Sequence, residues 1–141
     1  MLRALALLLI SFSPALAPAA PRFDSRVLKV FRLLRGCPAR AYAQLFVDVS
    51  DENGLDWRLL PVLAFLETTG GKTARSNNLF GWDNGNAEFE SPQESIRFVG
   101  SRLGESSLYL GQPLSVVLRR YNHRRSYAKA VRKMMRKLEN Y

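Results

Sequence analysis

One cysteine, one histidine and twelve acidic residues are the scarcities of this 141-residue chain, and each closes off some chemistry. Cys37 alone excludes an internal disulfide framework and any Cys-rich metal site. His123 alone excludes a zinc site of the His-x-x-x-His kind and weakens any nucleophile–base arrangement built on histidine. No apolar run reaches the ~20 residues a membrane-spanning helix requires. Internal repeats and low-complexity tracts are also missing, so a repeat array and a polytopic membrane protein are both excluded. The shortage of acids against 21 Lys and Arg leaves a net charge of +9. That balance calls for an anionic partner: nucleic acid, a membrane surface or a cell-wall polymer. What is present is apolar substance, 47% of the residues, too much for a disordered chain. The length fits one domain with one core.

The chain opens with MLRALALLLISFSPALAPAA. Arg3 supplies a short positive start, Ala4 to Phe12 an apolar stretch, and Pro14 ends it among small residues. This is the anatomy of a secretory signal peptide. Ala17-Pro18-Ala19 meets the small-x-small rule and puts the cut before Ala20, so residues 1–19 are expected to be a leader and residues 20–141 the mature domain. The expected location is exported, either periplasmic or secreted. Export argues against DNA as the natural anion.

The mature chain predicts a mostly α domain. Ser25 to Leu34 carries Val27, Leu28, Val30, Phe31 and Leu34 on one broad face and reads as a helix. Ala39 to Asn53 reads as a second, with Tyr42, Leu45, Phe46 and Val49 as its stripe and Gly54 as its stop. Asp56 is expected to cap a third, Trp57 to Thr68, whose residues leave almost no polar face; such a helix is buried all round. Gly71 to Glu90 has no helical period, and Asp83-Asn84-Gly85 predicts a tight hairpin or looped lobe. Ser91-Pro92-Gln93-Glu94 is a strong helix start, for a helix running to about Gly104 that buries Ile96, Phe98 or Val99, and Leu103. Pro113 opens a helix through Tyr121. Ser126 is expected to cap a last one, striped by Tyr127, Val131, Met134, Met135 and Leu138.

Glu67 is the residue best placed for chemistry. It ends the most apolar helix, where the dipole and partial burial are both expected to raise a carboxyl pKa. A general acid working near neutral pH needs that, and a glycosidic oxygen leaves poorly until it is protonated. Trp82 offers a flat face for a sugar ring, and Asn78 an amide suited to an acetamido group.

The residues that follow resemble a known family. Glu67-Thr68-Thr69-Gly70-Gly71-Lys72 is similar to the Glu-Ser-x-x-Gly signature of lysozyme-like muramidases, lytic transglycosylases and glucosaminidases. Asn77-Asn78-Leu79-Phe80-Gly81 resembles a motif of the bacterial glucosaminidase domain, glycoside hydrolase family 73. Arg120-Tyr121-Asn122 and Ser126 to Val131 resemble that family's C-terminal Tyr-Asn and Tyr-x-x-x-Val segments. The motifs occur in the family's order, from about Asp56 to Leu138. The resemblance implies a lysozyme-like α-rich fold with a small irregular or β-hairpin lobe. It implies an enzyme cutting the β-1,4 bonds between N-acetylglucosamine and N-acetylmuramic acid in peptidoglycan. Glu67 falls on the catalytic acid and Tyr121 on the tyrosine that assists the oxocarbenium-like state. Asn78, Phe80 and Gly81 fall on the motif at the floor of the cleft, with Trp82 beside it as substrate-binding. No cofactor and no metal are expected.

One departure from the family matters. Only Trp82 to Glu90 separate the motif from the Ser91 cap, where the family often has a longer lobe with a second acid. Asp83, Glu88 and Glu90 are the carboxylates at hand, and a two-carboxylate mechanism needs a separation of ~5–9 Å. The acceptor therefore stays open between water and the substrate's own N-acetyl or 6-hydroxyl group. Beyond the cleft, Arg119 to Tyr141 holds nine Lys or Arg against Glu139 alone. That basic surface suits an anionic wall polymer or a membrane face. The alternatives are a non-catalytic wall-binding module of the same fold, or a basic helical protein for nucleic acid or membrane.

Overall fold

A computed structural model of the protein describes residues 23–141; the expected leader lies outside the described residues. Six α-helices and no strand occur among them: α1 Ser25–Leu33, α2 Ala43–Glu52, α3 Leu59–Thr68, α4 Pro92–Glu105, α5 Leu114–Tyr121 and α6 Arg125–Glu139. No helix among the described residues is long and apolar enough to cross a membrane.

The fold is built around α3. Leu59, Leu60, Pro61, Val62, Leu63 and Ala64 are all buried, as a helix without a polar face requires. Pro61 sits in the first turn, where the missing N–H has no intrahelical partner to lose. Around this axis pack α2, α4 and α6. Glycine sets how closely two of the partners meet: a Cβ on Gly100 of α4 would lie 2.3 Å from Val49 Cγ1, and one on Gly104 would lie 2.6 Å from the Asn53 carbonyl oxygen. Two arginine bridges fasten the ends. Arg26 reaches Asp24 at 2.7 Å and Asp51 at 2.8 Å, joining α1 to α2. Arg58 reaches Asp56 at 2.5 Å and Glu139 at 3.0 Å, joining the start of α3 to the end of α6.

The helix boundaries differ from expectation in three places. The second helix does not begin at Ala39: Pro38–Tyr42 closes as a 3-10 turn, held to the end of α3 by the Ala39 N–H on the Gly70 carbonyl at 2.9 Å. Asp56 caps a turn, not α3 itself, because Arg58 takes its carboxylate through both the backbone N–H and the guanidinium. Ser126 is not the cap of α6. Arg124 holds that position with no side-chain bond of its own, its N–H donating to Asn122 Oδ1 at 3.0 Å. The Ser91 cap stands as read, accepting from Glu94 N at 3.2 Å, while Glu94 reaches back to Glu90 N.

The lobe from Gly71 to Glu90 is not a hairpin. Asp83–Gly85 forms a short 3-10 turn with Asn84 left-handed at φ 52°, and a side chain does the work of a strand ladder. Asn78 is buried; its Nδ2 donates to the Trp82 and Ala87 carbonyls at 3.0 Å each, and its Oδ1 accepts from Trp82 N at 2.9 Å. Phe98 of α4 stays at the surface beneath this lobe, edge-on to Trp82 at 5.6 Å and tilted on Phe89 at 5.4 Å, while Val99 enters the core.

Candidate active site

Glu67 occupies the last turn of α3, and the residues after it turn the chain sharply. Thr69 is left-handed at φ 52°, and Gly70 follows at φ 60° with its N–H on the Ala64 carbonyl. Only glycine suits position 70, since a Cβ there would meet Cys37 Cβ at 2.7 Å. Cys37 is therefore packing, buried and unpaired. Thr68 pins the carboxylate's neighbourhood. Its buried hydroxyl donates to the Leu79 carbonyl at 2.8 Å and accepts from Gly71 N at 3.0 Å.

That bond brings the Asn-Asn-Leu-Phe-Gly segment alongside Glu67. Leu79 and Phe80 drop into the core, and Gly81 turns out of it at φ 57°. A Cβ on Gly81 would stand 3.7 Å from Glu67 Oε2, so the bare backbone leaves the carboxylate open at this point. Trp82, Asp83, Asn84, Ala87, Tyr109, Tyr121 and Asn122 line, together with Glu67, Phe80 and Gly81, a cleft of about 650 Å³. A second hollow of about 170 Å³, bounded by Thr73, Arg75 and Gly85, shares Glu67 and Gly81 with the first. Glu67 thus borders both hollows.

Two tyrosines stand behind Glu67. The Tyr121 hydroxyl donates to the Phe80 carbonyl at 3.1 Å, and its ring lies 6.1 Å from Trp82, edge to face. The Tyr127 ring stacks on Tyr121 at 6.0 Å with the planes 16° apart. Its own hydroxyl is buried with no hydrogen bond. Burial raises the pKa of both phenols above the ordinary tyrosine value. For Tyr121 the negative charge of Glu67 adds to that shift, and for Tyr127 both Tyr121 and Glu67 do. Both hydroxyls are neutral at any physiological pH.

In comparisons with known protein families, with curated proteins and with solved structures, nothing matches this chain. The motif resemblance therefore rests on its residues, and their placement can be compared one by one with what the sequence predicts. Glu67, Gly81, Trp82 and Tyr121 meet in one cleft. Phe80 borders the same cleft, but its side chain is only 1% exposed, and its carbonyl accepts from the Tyr121 hydroxyl. Asn78 likewise is not a free amide for a ligand, because the lobe's backbone engages both ends of it. Of the three nearby acids only Asp83 lines the cleft; Glu88 and Glu90 do not.

Tyr109 and Tyr127 are the site residues that sequence reasoning misses. Tyr127 falls on the apolar stripe of α6, where it reads as core. The available signal was a phenol on that stripe one turn from the start of α6, close behind Tyr121. Among the described residues, no three His, Cys, Asp or Glu side chains gather where they could hold a metal ion.

Proposed function

We propose that this protein is an exported peptidoglycan glycosidase. Its lysozyme-like α-rich domain cleaves the β-1,4 bonds between N-acetylglucosamine and N-acetylmuramic acid, with Glu67 as general acid. The observation that carries the reading is the position of Glu67 between two hollows, at the end of a buried helix and beneath an aromatic wall. A bond inside a polymer has a sugar on each side, and a carboxylate bordering two hollows suits it.

Each wall has a part in this chemistry. The Glu67 carboxyl donates its proton to the glycosidic oxygen as the bond lengthens. The Trp82 ring gives a sugar face an apolar surface. The Tyr121 hydroxyl spends its proton on the Phe80 carbonyl, which leaves oxygen lone pairs for the positive charge that develops at the sugar carbon. Asp83, the other carboxylate on the cleft wall, adds negative charge to the same space. Export rests on the leader-like first 19 residues.

The test is the mature chain on purified peptidoglycan, with released fragments read by mass spectrometry beside Glu67→Gln. The expected result is fragments with reducing or anhydro ends from the native chain. Glu67→Gln, isosteric and folded, should lose at least ~10²-fold in rate. A Gln variant working at the native rate would refute the mechanism. Intact glycan that still retains the native protein would make it a wall-binding module.

A further inference from the structure

Arg125, Lys129, Arg132, Lys133, Arg136 and Lys137 recur along α6 at spacings of three and four residues, so they share one face. The opposite face carries Val131, Met135 and Leu138 into the core. Outside α6, Arg26, Arg58 and Arg97 each pair with a carboxylate, and the other arginines among the described residues are scattered singly or in pairs without one. None of the six α6 cations pairs with a carboxylate among the described residues. Glu139, the acid nearest to them in sequence, is turned to Arg58.

Such a face is costly to keep. Like charges three and four residues apart repel. The first turn of α6 holds no acid, and Arg124 and Arg125 put positive charge at the helix end where the dipole disfavours it. A face needed only for solubility gains from interspersed Glu, and this one has none. A polyanion laid along it relieves both penalties.

The first cation of the stripe, Arg125, follows the cleft by three residues, although none of the six cations itself lines it. Asn122, three residues before α6, lines the cleft, and Tyr127 in the first turns of α6 stacks on cleft-lining Tyr121. From Arg125 to Lys137 the stripe runs ~18 Å at the ~1.5 Å rise of an α-helix.

We propose that the α6 stripe docks the carboxylate-bearing peptides of the same peptidoglycan strand whose sugars occupy the cleft. The proposal rests on the peptidoglycan reading of that cleft. The short chain distance from cleft-lining Asn122 to Arg125, with the unbroken positive charge that follows, favours an anion attached to the substrate over one found elsewhere. A lipid surface fits less well: the apolar face of α6 is buried and cannot insert, and the large exposed apolar side chains (Phe23, Phe31, Phe98, Leu108 and Leu110) lie off this helix. Single-stranded nucleic acid usually finds aromatic platforms between the cations, whereas Tyr127 is stacked inside the fold.

The experiment measures retention of the full mature chain on immobilised intact peptidoglycan and on immobilised strands stripped of their peptides by an amidase, the lactyl carboxylate that this hydrolysis frees on each muramic acid being capped as an amide, across a salt series. The native chain is expected to bind the intact polymer on the order of tenfold more tightly, with the difference vanishing at high salt. A triple Lys129→Glu/Lys133→Glu/Lys137→Glu variant is expected to lose that preference, and the gentler Gln triple to lose part of it. Both should still cleave stripped glycan at the native rate, which shows that the fold is intact. Equal native binding to both polymers, or an unchanged preference in the Glu triple, overturns the proposal. So does tighter binding to anionic phospholipid vesicles or to DNA at the same salt. Failure of the native chain to cleave either polymer counts against the cleft reading instead, and retention still reports on the stripe.

Discussion

Tyr127 keeps a hydroxyl where burial penalises it, and the one group within its reach, the Glu67 carboxylate, lies outside ordinary hydrogen-bond geometry. A buried hydroxyl without a hydrogen bond costs about 1–3 kcal/mol, so a residue serving only the core would be phenylalanine. The hydroxyl's neighbours explain its presence: burial holds the phenol neutral, stacked Tyr121 adds to that, and the hydroxyl points toward the Glu67 carboxylate. When the carboxylate shifts onto substrate, this is the donor that can fix its orientation. Tyr127→Phe is therefore expected to melt at the same temperature or higher, by up to about 1 kcal/mol. Its cleavage rate should fall on the order of tenfold. Thermal melts and the fragment assay read the two effects separately; a Phe variant with native activity would leave the hydroxyl without a role. At this scale the sequence is legible in part. Glu67, Trp82 and Tyr121 can be picked out by residue type and motif. The amide of Asn78 cannot be assigned that way, because whether it faces a ligand or its own backbone depends on turns that no periodicity records.

Among the elements, the α2–α4 crossing sets the tolerance of the core. Gly104 faces backbone: a Cβ there would lie 2.6 Å from the Asn53 carbonyl oxygen and 3.2 Å from Asn53 Cα. A flexible side chain can yield, whereas a helix terminus has to move. Gly104→Ala is thus expected to lose about 1–3 kcal/mol through overpacking, despite alanine's better helix propensity. Urea denaturation checks the sign: a stabilised variant would mean that the Asn53 turn yields freely. Helices were the most readable level of this molecule. α1, α4 and α5 begin and end within a residue or two of where caps, prolines and apolar spacing put them. One misreading falls where a tertiary bond competes with a local signal, Ala39 on Gly70, and another where two local signals compete, Arg58 taking the carboxylate of Asp56 two residues back. For the lobe the sequence leaves a tight hairpin and a looped lobe open, and the loop is what forms. Its non-glycine left-handed residues Ser76, Asn77, Asp83 and Asn84 bend the chain too tightly for two strands to pair.

For the molecule as a whole, pH bounds stability from both ends. The side-chain hydrogen bond of Arg26 holds Asp24 below the usual carboxylate range. At Asp56 burial pushes the other way, but the hydrogen bonds of Arg58 outweigh it. A depressed folded pKa stabilises the fold above the unfolded value of about 3.9, and the benefit is lost as pH falls through the folded one. Tyr121 and Tyr127 act with the opposite sign. Their raised pKa values stabilise the fold below the unfolded value of about 10, and that contribution is lost as pH rises past it. Denaturation midpoints measured from pH 3 to pH 11 should form a plateau that declines at both ends. Tyr127→Phe should soften the alkaline decline alone; an unchanged alkaline limb would mean that this phenol is not held neutral by the fold.

The two hollows that share Glu67 have a consequence in topology. On the glycosidase reading, if a sugar sits in each of the two hollows that Glu67 borders, the strand is gripped by its middle and need not offer an end. In a cross-linked mesh, where free ends are rare and chains cannot be threaded, an enzyme of this shape works from the side, and each event leaves two new termini where there were none.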